Sequence, residues 1–157
     1  MASGVPGRDQ RKLLFGTKVE EPAAVLPATA TAHIFTVAGG RVIVTSLTGQ
    51  CTTVCSATAT TVSVGHTPLT GTASVSALAT ASSVASAEVG SLVSLPITKG
   101  ALLVNLFAGG SAQAPGSGGY VVPPGQIDIV TSATNTGAFK WTLTYVPLDD
   151  GATVVAV

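Results

Sequence analysis

Residues 125–147 read Gly-Gln-Ile-Asp-Ile-Val-Thr-Ser-Ala-Thr-Asn-Thr-Gly-Ala-Phe-Lys-Trp-Thr-Leu-Thr-Tyr-Val-Pro, and the second half alternates strictly. Phe139, Trp141, Leu143 and Tyr145 share one parity; Lys140, Thr142, Thr144 and Val146 share the other. A period of two puts alternate side chains on opposite faces of a strand, one face core and one open. Upstream, Ile127 and Ile129 alternate with Asp128 and Val130, and Asn135-Thr136-Gly137 supplies turn chemistry between the two runs. The pattern predicts a β-hairpin. Its aromatic face holds the only Trp and one of two Tyr in a chain that is 4% aromatic, so it is expected to be the main core. The competing reading, an aromatic binding platform, calls for interleaved cations or polar residues.

The 157 residues suit one domain. Only 9% are charged, against about 25% in ordinary soluble domains. Mean hydropathy is +0.55, yet no apolar run approaches the ~20 residues that span a bilayer. The longest candidates, such as residues 101–108, are strand-sized. Ala and Val interleaved with Ser, Thr and Gly favour β-structure with many turns. The expected fold is all-β, an antiparallel sandwich or barrel, jelly-roll-like, over residues 29–157, with an extended N-terminal arm over residues 1–28.

Seven of the fourteen charged residues, Arg8, Asp9, Arg11, Lys12, Lys18, Glu20 and Glu21, lie in the first 21 positions. With Gly4, Pro6, Gly7, Gly16, Pro22 and Pro27 among them, the segment reads as an arm without a core of its own. No apolar h-region follows the basic residues, so it is not read as a signal peptide. Leu13-Leu14-Phe15 is a short apolar anchor; the segment is either a disordered terminus or an arm that orders on a neighbouring subunit. The charge-poor body is expected to hide surface against copies of itself or a large partner. Zero net charge gives no electrostatic case for nucleic acid or an anionic membrane.

Along the body, residues 33–37 and 41–47 flank Ala38-Gly39-Gly40 and predict a second hairpin. Thr48-Gly49 reads as another turn, residues 50–57 and 58–64 as extended, and Gly65-His66-Thr67-Pro68 as a loop with a solvated His66. In the Ala/Ser/Thr/Val tract at 71–95, two weak strands are expected at 72–78 and 89–95, with a short helix near 80–88 as the alternative. Residues 101–107 are a buried-strand candidate, 108–119 a loop, and 120–122 a short extended lead-in. Asp149-Asp150-Gly151 is read as a turn and 152–157 as a last strand.

Chemical candidates are few. On one strand Cys51 and Cys55 would stand roughly 13 Å apart, beyond disulfide reach, so two reduced buried thiols are expected. His33, placed at a sheet edge, and His66 lack the short His/Cys spacing of a zinc site. Adjacent acids at 149–150 lack the spaced oxygen donors of a calcium loop. There is no G-x-S-x-G elbow, and Gly116-Ser117-Gly118-Gly119 lacks the strand and helix start of a phosphate loop. The expectation is a non-enzymatic protein with no catalytic residues, cofactor or metal.

Pro123-Pro-Gly-Gln-Ile-Asp128 and residues 132–148 resemble the C-terminal part of small virion structural proteins of tailed bacteriophages. Residues 35–49 are similar to their first hairpin, and the Thr-rich strand containing Thr58-Ala59-Thr60 fits as well. The resemblance spans residues 30–157 and carries no catalytic motif. It implies an assembly role on the particle, in the virion after synthesis in the host bacterial cytoplasm. The reading it favours is a capsid decoration or cement protein bound to the outer head surface. Its partners would be the major capsid protein and, as a homotrimer, itself. Arg8, Arg11 and Lys12 would meet acidic shell surface, and Leu13, Leu14 and Phe15 an apolar groove. The alternative is a fibre, spike or tail-associated module that contacts a host receptor or glycan through loop 108–119, with Tyr120 nearby.

Overall fold

A computed structural model describes residues 6–70, 76–96, 104–106 and 119–157, with backbone alone at 8, 11, 13, 76 and 104–106. The described elements are α1 (Gly7–Phe15), β1 (Thr17–Val25), β2 (Thr31–Ala38), β3 (Val42–Thr53), β4 (Thr61–Pro68) and β5 (Ser76–Ser83). They continue with β6 (Leu92–Ser94), β7 (Val104–Leu106), β8 (Tyr120–Val122), β9 (Gly125–Thr131), β10 (Ala138–Pro147) and β11 (Thr153–Ala156). Two antiparallel sheets share one core. The first runs β1-β10-β3-β6-β7, with β8 also on β3; the second runs β11-β2-β9-β4-β5. The all-β expectation holds, and its core face is the expected one. Phe139, Trp141, Leu143 and Tyr145 are buried against a second layer that includes Phe35, Val64, Ile127 and Ile129.

Neither expected hairpin forms. β9 pairs with β2 and β4, while β10 pairs with β1 and β3, so residues 132–137 cross from one sheet to the other. Buried Asn135 holds that crossing. Its Oδ1 accepts from Ser56 N at 2.9 Å and Gly137 N at 3.0 Å, and its Nδ2 donates to Thr60 Oγ1 at 3.1 Å. The Gly39-Gly40 connection likewise crosses between β2 and β3. Beside it, Asp149 Oδ2 accepts from Arg41 N and Nε at 2.8 and 2.9 Å, and Oδ1 from Nη2 at 2.8 Å. This bidentate clamp ties the crossing to the expected turn at 149–151. Strand alternation is the same whether two runs pair edge to edge or face each other across a core, so parity predicts the buried face and not the pairing.

Thr48-Gly49 is no turn; it lies inside the twelve-residue β3. Gly49 stands opposite Trp141, and a Cβ there would lie 2.7 Å from Trp141 Cζ3 and 2.8 Å from Val93 Cγ2. The glycine signals a close aromatic approach. Residues 65–68, expected as a loop, complete β4, and His66 is buried, facing inward beside Ile127. His33 sits on β2 beyond the end of the β11 pairing at Phe35, so β9 is its one strand partner and its side chain is half exposed, as an edge residue's is.

Residues 17–25 of the expected arm form β1 on the edge of the first sheet, in register with β10 from Thr17↔Tyr145 to Val25↔Ala138. Val19 turns toward the core, while Lys18 and Glu20 face out beside Lys140, with Lys–Glu distances of 3.2 and 3.1 Å. Pro22 falls where the register shifts, a place that tolerates a residue without an N–H. Charge and proline at an edge concealed the strand in the sequence. In the 71–95 tract the strands are Ser76–Ser83 and Leu92–Ser94; residues 80–83 are strand, and the alternative helix does not form. Positions 72–75, 101–103 and 107–118 lie outside the described residues.

Candidate functional site

The expected contact residues lie on α1. Pro6 precedes the helix and its carbonyl accepts from Asp9 N and Gln10 N at 2.8 and 3.0 Å. Asp9 in the first turn and Lys12 in the last both suit the helix dipole. Gly16 N closes the end onto Lys12 O at 2.9 Å. The helix is tied to the first sheet where β3 carries a bulge: Thr45 Oγ1 donates to Phe15 O at 2.7 Å and sits 2.7 Å from Thr144 Oγ1. Lys12 is open to solvent, Leu14 is 75% exposed and Phe15 is 55% exposed. Arg8, Arg11 and Leu13 are on the same helix, and their side chains lie outside the described residues.

The sheet continues this surface. Val146 on β10 pairs with Ile43 on β3, and Ile43 pairs with Val121 on β8. The three share the outward parity of the first sheet at the end where α1 is tethered. Val121 and Val146 are exposed, as is Leu148 just beyond. Farther along, the same face turns to Ser46, Thr48, Thr142 and Thr144, then to Glu20 between Lys18 and Lys140. Hydrogen bonds from Lys140 and then Lys18 hold the Glu20 carboxyl below its usual range. The arrangement offers an apolar strip beside a helix that carries three basic residues and one acid. The parity of Val146 was readable in the sequence; its neighbours Ile43 and Val121 depend on long-range register and were not.

A polar cluster on the second sheet was also missed. Asp128 is fully buried although its parity is outward. Its Oδ1 lies 2.5 Å from His33 Nδ1 and its Oδ2 accepts from Thr67 Oγ1 at 2.5 Å. The cluster ties β2, β9 and β4, three neighbouring strands. The carboxylate sits between the imidazole and the hydroxyl, so Thr67 donates to the acid and not to the base. That order serves cross-strand anchoring, whereas a nucleophile needs the base in the middle.

The cysteines depart from the expected spacing. β3 ends at Thr53, so Cys51 and Cys55 are not on one extended strand; the Cys51 thiol donates to Thr53 O at 3.1 Å, and Ala87 O accepts from Cys55 N at 2.9 Å. Both are buried and unoxidised. Among the described residues no group of three or more His, Cys, Asp and Glu could hold a metal ion. Among them, too, no helix is long and apolar enough to cross a membrane. No family model, curated protein or solved structure matches the chain.

Proposed function

We propose that the chain is a non-enzymatic structural protein of a tailed-bacteriophage virion, a decoration or cement protein that binds the outer head surface through its N-terminal segment and stabilises the shell. The observation that carries this reading is the exposure of Leu14 and Phe15 on a basic helix tethered to a rigid sheet. Large apolar side chains left open beside cations suit a partner that is apolar and acidic at once. Burying each would contribute about 1.5–3 kcal/mol before ordering costs. Strands β1–β4 and β8–β11 alternate between the two sheets, which supports a jelly-roll-like topology, and the charge-poor body supports assembly with copies of itself as a trimer.

Residues 17–25 belong to the sheet, so the separable contact segment is residues 1–15. Deleting residues 1–15 is expected to leave the β-domain folded, with Trp141 fluorescence unchanged, and to weaken binding to heads of the encoding phage assembled without this chain. Co-sedimentation of the truncated and full chains with those heads is the test. Equal binding by the two would remove the N-terminal segment from the contact.

A further inference from the structure

Residues 26–30 carry the chain from β1 in the first sheet to β2 in the second. Within this short link Thr29 stands at φ +47°. That left-handed conformation is an outlier for a β-branched residue, whose side chain crowds its own backbone there. Buried Thr131 pinches the link shut: its Oγ1 donates to Pro27 O, and its N–H donates to Ala30 O at 3.1 Å. The segment ahead of the link is lightly held. β1 is an edge strand that pairs with β10 alone, and none of its side chains is fully buried. Of its hydrophobic residues, only Val19 packs against the core. The last anchor before the link is buried Leu26, whose N–H donates to Gly137 O at 3.0 Å.

We propose that the segment through Leu26, carrying α1 and β1, exchanges between copies of this chain: it leaves its own β10 and takes the same place on β10 of a second copy. The receiving edge is present in every copy. The register from Thr17↔Tyr145 to Val25↔Ala138, the hold of Thr45 on Phe15 O and the Leu26 bond to Gly137 O all re-form between chains. A second copy is the occupant that fits, because the β10 edge is matched to a strand whose register shifts between Glu21 and Ala24. What differs between the two forms is the link. Within one chain it must reverse tightly and hold Thr29 left-handed; between chains it runs open, and Thr29 takes an ordinary extended conformation. Exchange of identical elements makes no new contacts, so strain in a short hinge decides the balance. The exchange stands apart from the reading of the particle. It names the element that joins copies, and it sets α1, with exposed Leu14 and Phe15, on the neighbouring copy.

The test traps the β1–β10 ladder. Glu20 and Thr142 stand opposite each other on the outer face. Full-length protein with Glu20→Cys and Thr142→Cys is refolded from urea at low and at high protein concentration and then oxidised. Size-exclusion chromatography and non-reducing gels follow, with each single variant as the control for random cross-links. At high concentration an oligomer should form whose chains are joined by the new disulfide; at low concentration the same bond should close within the monomer. Adding Thr29→Gly, which removes the strain of the closed link, should lower the exchanged share at high concentration by roughly 5- to 30-fold per chain. Deleting Ala28 and Thr29 instead leaves a link too short to close and should give the exchanged oligomer at both concentrations. Monomer alone at both concentrations, an oligomer whose new disulfide lies within each chain, a Thr29→Gly protein that exchanges as readily as its parent, or a deletion variant that folds as a monomer would each overturn the proposal.

Discussion

Gly49→Ala probes whether the Trp141 face is the packed centre of the molecule. An added Cβ would stand 2.7 and 2.9 Å from Trp141 Cζ3 and Cε3, and 2.8 Å from Val93 Cγ2. These contacts are closer than carbon atoms tolerate, and the ring is buried, 3% exposed and stacked 5.9 Å from Phe139, with little room to retreat. Overpacking of this kind costs about 1–3 kcal/mol. Trp141→Ala alone should cost about 3–5 kcal/mol, because the ring's buried area loses its transfer energy and leaves a cavity. The two changes should not add. With the indole gone, the Gly49 methyl points into the vacated space and meets Val93 alone, so the pair should couple by about 1 kcal/mol or more. Urea unfolding of the four proteins, followed by far-UV circular dichroism because the single Trp is removed, measures the cycle. Additivity within about 0.3–0.5 kcal/mol would refute the stacked Gly49–Trp141 contact.

Three further outcomes follow from other contacts. The Arg41 clamp holds the Asp149 carboxyl at about 2, below the ordinary 3.8; its contribution is therefore complete above about pH 4 and lost as pH falls toward 2. Asp149→Asn should flatten the fall of the urea midpoint across that window, and an unchanged slope would contradict the clamp. Thr67→Val removes a donor from the buried Asp128 carboxylate and should lower stability by about 1–3 kcal/mol by denaturant titration, whereas Thr67→Ser should stay near the parent. Val121→Lys together with Val146→Lys should leave the unfolding midpoint close to the parent's, since both side chains point out from the first sheet; a large loss would mean that face is packed within the monomer.

The sequence conveyed which side chains are buried better than it conveyed which strands touch. Phe139, Trp141, Leu143 and Tyr145 were assigned from parity alone, because a half-buried strand writes its environment into every second residue. The partner of each strand is set by crossings such as those at Asn135 and Arg41, whose ties to Ser56, Thr60 and Asp149 span long sequence separations. Local signals misled where a residue served a distant neighbour. Gly49 resembled a turn and makes room for an indole; Gly65 and Pro68 resembled a loop and complete β4; Pro22 and the charges around it resembled a free arm and mark a protected edge. Leu14 and Phe15 stand out in the sequence as apolar residues in a charged segment, and both are exposed. The strip that adjoins them, and the fold-back beyond β3 that brings Ala87 O onto Cys55 N, depend on register and on a chain reversal that periodicity does not encode.

The proposed place on a particle shell is tested most directly by stoichiometry. On the proposed function, quantitative mass spectrometry of intact, purified virions of the phage that would encode this chain gives its molar ratio to the major shell protein. A decoration protein should be present at a ratio of the same order as the shell protein, and treatment that strips the head surface should release it. A ratio matching the tail or fibre components, or absence from the purified particle, would contradict the account.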